Sequence, residues 1–141
     1  MTFDRAAQLA RGARRIQMRT ARRLRHDLVM VGRACMMSLP SDLQARLAVP
    51  LDKVSDAVVS YLRSAATSLR TGEILPSSAP IDEALQLYAA EIAALRSEGL
   101  IRVLPGDAAE RFFALGFALE QMRQNLNDLG RCVAEWSETP S

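Results

Sequence analysis

The apolar residues near the end of the chain recur with the period of an α-helix. Eight of them follow one another at spacings of three and four residues, which places them in one ridge along one side of a helix. This core ridge consists of Phe112, Leu115, Leu119, Met122, Leu126, Leu129, Val133 and Trp136. Other segments must cover it, because each buried Leu or Phe contributes roughly 1.5 to 3 kcal/mol relative to exposure. A second apolar strip, with Phe113 and Phe117, lies beside the ridge and predicts that this helix sits between two partners.

Helical periodicity and helix breakers divide the whole chain into four predicted helices. Their predicted bounds are about 4–37, 42–71, 80–98 and 108–136. Ser41 and Gln44 match a capping box at the start of the second helix, and Pro50 predicts that a short helix is kinked there into a longer one. Asp107, followed by Glu110 three residues later, predicts the cap of the last helix.

Four helices with short connections predict an all-α, antiparallel, up-down four-helix bundle with a long basic N-terminal helix. The 141 residues fit a single domain, 1–141, that can bury a core without disulfides or metals. No apolar run approaches the roughly 18 residues of a membrane span, so we expect no span in the chain. The apolar residues 100–104 have no partner strand and are expected to form a loop over the end of the bundle.

Charge is distributed unevenly along the chain. Residues 1–34 contain nine Arg against two Asp, a net charge of +7, which leaves −5 for the remainder. Six of these residues form a basic face on the first helix: Arg11, Arg14, Arg15, Arg19, Arg22 and Arg23. Such a face suits anionic lipid headgroups, nucleic acid or an acidic partner. It lacks base-stacking aromatics, and no nucleic-acid reader is recognisable, so no nucleic acid is expected. A membrane-proximal helix is favoured instead.

Few residues suggest a catalytic, phosphoacceptor or metal-binding role. The single histidine, His26, stands in the segment RHDL, which resembles the phosphoacceptor helix of sensor kinases and related phosphotransferases. No nucleotide-binding segment follows, so only a stand-alone phosphotransfer module remains open. Glu91 and Glu98 are seven residues apart but lack a histidine three residues after either, so no metal site is specified. Asn125 is expected to be a surface or edge amide. We expect no catalytic residue, no metal and no cofactor.

Two segments resemble a known family. Residues 23–34, RLRHDLVMVGRA, and 110–136, ERFFALGFALEQMRQNLNDLGRCVAEW, resemble the C-terminal soluble part of bacterial inner-membrane proteins of the fusaric acid resistance type. That family is similar to the aromatic carboxylic acid exporters. The resemblance covers about a third of the chain with any specificity and implies a helical domain at the cytoplasmic face of the inner membrane. No transport-site residue carries over, because this chain contains no membrane-spanning half.

These observations lead to one predicted function and two alternatives. The prediction is a non-catalytic cytoplasmic domain of, or associated with, an efflux-type inner-membrane transporter, acting in assembly or regulation. Its expected partners are the transmembrane portion or the membrane surface, and a second copy of the chain that pairs through the small residues between Ala6 and Ala13. One alternative is a histidine phosphotransfer module that uses His26. The other is a stand-alone scaffold whose basic helix docks an acidic partner.

Overall fold

Four helices account for most of the chain in the computed structural model, which describes residues 2–35 and 39–138. They are α1 (Thr2–Cys35), α2 (Ser41–Thr71), α3 (Ala79–Ser97) and α4 (Gly106–Glu138). The described residues contain no strand, which confirms the all-α prediction. Residue 37, the predicted end of the first helix, lies outside the described residues. Over the described part of the chain, no helix combines the length and apolarity needed to cross a bilayer.

Two glycines end helices close to the predicted bounds, 71 and 98. Gly72 follows α2 with a φ of 75°, a left-handed conformation that only glycine adopts without strain. Gly99 follows α3, also with a φ of 75°. Its N–H donates to the carbonyl of Arg96 at 3.0 Å, and the N–H of Leu100 donates to the carbonyl of Leu95 at 3.1 Å. This is a Schellman motif. It turns the chain so that parts of the 100–104 loop pack against the core, as expected.

The predicted side-chain caps at the helix starts are wrong. Ser41 is already the first residue of α2, where no side-chain cap forms, and the N–H of Gln44 donates to the carbonyl of Pro40 at 3.0 Å. Asp107 likewise lies inside α4, which begins one residue earlier. The physical reason is the same at both sites. The carbonyls of Pro40 and Pro105 accept the first helical hydrogen bonds, so each helix begins before the polar residue that we expected to cap it.

Pro50 does not end the second helix, and the kink predicted there stays a prediction. The structure has one continuous helix over Ser41–Thr71, with Pro50 buried on its inner face. Proline removes one backbone hydrogen bond, and a helix of 31 residues with a buried apolar face tolerates that loss because packing supplies most of its stability.

The core ridge of α4 lies at the centre of the packing. Phe112, Leu115, Leu119, Met122, Leu126 and Val133 are buried. Leu129 is half-buried against the same cluster, and the side chain of Trp136 lies outside the described part of the chain. The covering residues include Leu24 of α1, Leu47, Val54, Val58 and Tyr61 of α2, and Ile81, Ala84, Tyr88 and Leu95 of α3. One cluster therefore joins all four helices.

The helices contact one another unequally. α1 packs extensively along α4 and α2 along α3, whereas the seam between α3 and α4 is thin. Among the described residues, α1 has backbone contacts with α4 alone. The exposed fractions of Phe113 and Phe117 are 55% and 69%, so the prediction that this strip packs against a second helix is wrong. The strip stays exposed because α1 contacts another flank of α4 and α3 packs chiefly on α2.

Candidate functional site

The basic face of α1 is open to solvent. The structure exposes Arg11, Arg15, Arg19, Arg22 and Arg23, as well as the neighbouring Arg25; the side chain of Arg14 lies outside the described part. Among the described side chains, no carboxylate pairs with these guanidinium groups. From Arg11 to Arg23 the face extends about 18 Å along the helix. The described arginines therefore form a positive surface along α1.

His26 is exposed near one end of this face. A phosphoacceptor must be reachable, and the placement of His26 meets that requirement. The side chain of the adjacent Asp27 lies outside the described part of the chain, so the pairing of the two side chains is not defined. Over residues 2–35 and 39–138, no three His, Cys, Asp or Glu side chains come together in a group that could hold a metal ion.

Arg46 joins the beginning of α2 to the end of α3. Its Nε donates to Oε1 of Glu91 at 2.6 Å, and its Nη1 donates to the carboxylate of Glu98. These hydrogen bonds, the one to Glu98 first, raise the pKa of Arg46, which keeps it charged. The spacing of the two carboxylates is visible in the sequence but their partner is not, because Arg46 is 45 residues away from Glu91. The sequence signal for an interhelical partner was two acidic residues on one face of α3 with no basic residue one turn away within that helix.

Tyr61 of α2 lies tightly against α4. A Cβ atom added to Gly130 would be 2.3 Å from the hydroxyl oxygen of Tyr61, so only glycine leaves room for that hydroxyl. Burial raises the pKa of Tyr61. A crevice of about 350 Å³ lies beside this contact. At its edge, Ser78 Oγ donates to Asn127 Oδ1 at 3.3 Å.

One further prediction about an amide is wrong. Asn125 is buried in α4, although its place beside the core ridge predicted a surface position. The helical wheel shows that Asn125 is next to the ridge, but it does not show how many helices surround α4. Because α1 and α2 both contact α4, the buried sector of this helix is wider than the ridge.

An open, mainly apolar groove follows the thin seam between α3 and α4. This α3–α4 groove is lined by Leu85, Ile92 and Arg96 of α3 and by Phe113, Phe117 and Glu120 of α4, among others, and encloses about 700 Å³. Gly116 lies between the two phenylalanines, and a Cβ added there would meet no atom within 4 Å. Exposed apolar surfaces of this kind mark interaction sites in stable proteins.

The two charged groups of the groove have different surroundings. Glu120 accepts a hydrogen bond from Arg123 Nη2 at 2.6 Å, and this bond lowers the pKa of Glu120. Arg96 has no ion-pair partner among the described side chains. The groove therefore offers an apolar floor with an unpaired cation and a carboxylate.

The surfaces described above are typical of sites that bind a partner. The basic face of α1 suits anions, the α3–α4 groove suits an apolar surface, and the Arg46 pairs join two helices. Among the described residues, no nucleophile, base and orienting group come together in these surfaces. Comparison with known protein families, with curated proteins and with solved structures finds no match to this chain.

Proposed function

We propose that this chain is a non-catalytic helical domain of, or associated with, an efflux-type inner-membrane transporter, and that the basic face of α1 docks on the cytoplasmic membrane surface. The observation that carries the proposal is the exposure of Arg11, Arg15, Arg19, Arg22 and Arg23 along one helix. The resemblance of residues 23–34 and 110–136 to fusaric acid resistance proteins supports the association with a transporter. The role is assembly or regulation of that transporter.

Electrostatics gives the docking its strength. A basic residue near an anionic membrane surface contributes about 1 kcal/mol, and the attraction decays within a Debye length. Five exposed guanidinium groups therefore suffice for reversible binding to anionic lipid. The rest of the chain carries a net negative charge, so α1 faces the membrane and the other helices point away from it.

The proposal includes the up-down arrangement of the helices. Arg46, near the start of α2, pairs with Glu98 just after α3, which supports opposite directions for these two helices. Ser78, just before α3, bonds Asn127, about two thirds of the way along α4, which supports opposite directions for that pair too. If α1 also opposes α4, spin labels at the exposed Arg5 and Arg131 lie close together. A parallel α1 would separate them by about 30 Å or more.

Vesicle binding tests the membrane docking. The protein should bind vesicles that contain an anionic phospholipid, bind neutral phosphatidylcholine vesicles weakly, and dissociate as salt is added. Replacing Arg11, Arg15 and Arg19 by Gln should weaken binding about 100-fold, at about 1 kcal/mol per residue. The matched control replaces three exposed arginines outside α1, at positions 63, 70 and 102, by Gln. It removes the same charge and should have little effect.

Two results would contradict the docking. One is the absence of binding to anionic vesicles at low salt. The other is equal weakening by both triple variants, which would mean that overall charge, and not the α1 face, determines binding. Stronger binding to polyglutamate than to the vesicles would favour the scaffold with an acidic partner. The association with a transporter is tested by the coding region. A membrane-spanning half encoded in the same or the neighbouring reading frame supports the association, and the absence of such a half from both reading frames contradicts the association.

A second candidate, the histidine phosphotransfer module, is favoured by the exposure of His26. It requires no nucleotide site if another protein or a small phosphodonor supplies the phosphoryl group. Incubation with acetyl phosphate or phosphoramidate should then give an acid-labile label that His26→Ala abolishes. A chain that takes up no label, or the same label after His26→Ala, excludes this candidate. His26→Ala leaves fold and vesicle binding unchanged under the main proposal.

A further inference from the structure

We propose that the α3–α4 groove is a dimer interface, and that its occupant is a second copy of this chain, packed face to face about a two-fold axis that runs across the groove. The inference gives the predicted homo-oligomer a different surface from the alanines of α1. It does not depend on membrane docking.

The surface of the groove has both projections and a cavity. Phe113 and Phe117 project from one wall of the groove, with exposed fractions of 55% and 69%, and the space over Gly116 between them is open. Projecting rings and an adjoining cavity of about 700 Å³ lie on the same patch. A patch of this kind is complementary to its own copy, as a two-fold interface requires. Aromatic side chains bury roughly 150–250 Å² each and dominate the energetics of such interfaces.

The two charged residues of the groove, Arg96 and Glu120, lie at different positions along it. Ser78 bonds Asn127 beyond the Leu85 end, and Asp82, one turn further along α3, acts electrostatically on Arg123, one turn back along α4, so the two helices run in opposite directions there. Counted from the Ser78–Asn127 contact, Glu120 is 7 residues back along α4 and Arg96 is 18 residues along α3. At 1.5 Å per residue, the two charged residues are about 16 Å apart along the groove. They therefore lie towards opposite ends of it.

A second copy of the chain can bring opposite charges together at both ends of the groove. A two-fold axis across the groove reverses the direction of the partner, so Arg96 of each copy lies at the end that holds Glu120 of the other. Arg96 has no ion-pair partner among the described side chains, and the Glu120 carboxylate, which accepts three hydrogen bonds from Arg123, retains acceptor capacity at Oε2. Both apolar floors are covered at once. Complementary charges at the rim fix the register of such an interface.

The oligomeric state in solution tests the interface. Sedimentation equilibrium of the 141-residue chain from low to high micromolar concentration should show a reversible dimer. Phe117→Asp should weaken it at least about 30-fold, as expected for a central aromatic anchor. The control is Val103→Asp, because Val103 is 76% exposed in the turn after α3 and does not line the groove. It also replaces an exposed apolar side chain by Asp and should leave the dimer intact.

A charge exchange tests the orientation. Arg96→Glu should weaken the dimer about five- to tenfold, because each dimer loses two rim pairs and gains two repulsions. Adding Glu120→Arg to the same chain should restore most of the affinity. Far-ultraviolet circular dichroism should be unchanged in every variant, since the substituted side chains are not buried.

Three results would overturn the proposal: a monomer at all concentrations, equal dimerisation of the Phe117→Asp and Val103→Asp variants, or no recovery in the double exchange. The first means that the groove has another occupant or none. The second places the dimer on another surface, and the third removes the proposed register. All three measurements are made without lipid, so their failure is separable from failure of vesicle binding.

Discussion

At the scale of single residues, the contact between Tyr61 and Gly130 is the closest approach at a described glycine. A Cβ added at Gly130 would overlap the Tyr61 hydroxyl oxygen at 2.3 Å, but would be 3.7 Å from Cζ of the same ring. Gly130→Ala should destabilise the protein by about 1 kcal/mol, because the overlap exceeds the gain in helix propensity. In a Tyr61→Phe background the same change should be stabilising, since the overlapping oxygen is gone. Urea unfolding of the four proteins measures the coupling.

Gly116→Ala is the matched control for this cycle. It also places alanine inside α4, but the added Cβ meets nothing within 4 Å. It should stabilise the folded state by about 0.5–1 kcal/mol, whichever residue is at position 61, when measured at a concentration where the chain is monomeric. The contact with Tyr61 is not limiting if Gly130→Ala and Gly116→Ala stabilise equally in the wild-type background.

Tyr61 also predicts a dependence of stability on pH. Burial raises its pKa in the folded state, because the phenolate is poorly solvated there. In the unfolded chain the hydroxyl ionises near pH 10. The free energy of unfolding should therefore be unaffected by Tyr61 at neutral pH and should fall as the pH rises above about 10. Tyr61→Phe should remove this component. A wild-type protein and variant that lose stability in parallel up to about pH 11 would contradict it.

At the scale of helices, Arg46 fixes the start of α2 to the end of α3. Arg46→Gln should lower the melting temperature, because Glu91 and Glu98 are then left close together without a counter-charge. Added salt should reduce the difference from wild type, since screening weakens the repulsion that remains. Thermal unfolding at low and high salt measures both effects.

Arg131→Gln is the control for the helix tie. Arg131 pairs with Asp128 three residues away in the same helix, so this pair joins no two elements. Exposed pairs within one helix contribute about 0.3–0.5 kcal/mol or less. Its removal should therefore change the melting temperature less than Arg46→Gln. Equal shifts would mean that the Arg46 pairs add nothing by connecting α2 to α3.

The helices themselves are predictable from sequence because their signals are local. Gly72 and Gly99 end helices through their own backbone conformation, and the period of the core ridge depends only on residues within α4. The relation between helices is different. The Arg46 pairs and the Tyr61–Gly130 contact join residues far apart in the chain, and no local spacing specifies such partners.

The two candidate sites also differ in whether local sequence predicts them. The basic face could be read from the sequence, because arginines at helical spacing remain on one side wherever α1 packs. The α3–α4 groove could not. The sequence predicts that Phe113 and Phe117 are buried against a second helix. They are exposed because α3 packs chiefly on α2. A hydrophobic pattern therefore indicates a binding surface and a core face alike until the neighbouring helices are known.

At the scale of the whole molecule, charge and packing separate α1 from the other helices. α1 carries the positive charge, and among the described residues its backbone contacts α4 alone, while α2, α3 and α4 together enclose most of the core. The basic face and the α3–α4 groove involve different helices. A dimer formed through the groove would therefore leave the basic face of each α1 available, and two such faces on one particle would strengthen membrane binding through avidity.

The core ridge predicts how the whole molecule unfolds. Leu119 and Phe117 are two residues apart in α4, but the exposed fraction is 2% for Leu119 and 69% for Phe117. Leu119→Asp places an unpaired carboxylate in the cluster that joins all four helices, so its cost should exceed about 4 kcal/mol. Because one core is shared, helicity should be lost from the chain as a whole. Phe117→Asp introduces the same charge on the same helix and should keep the wild-type circular dichroism spectrum. Partial loss of helicity in Leu119→Asp, with a stable remainder that unfolds separately in urea, would show that the four helices do not form one cooperative unit.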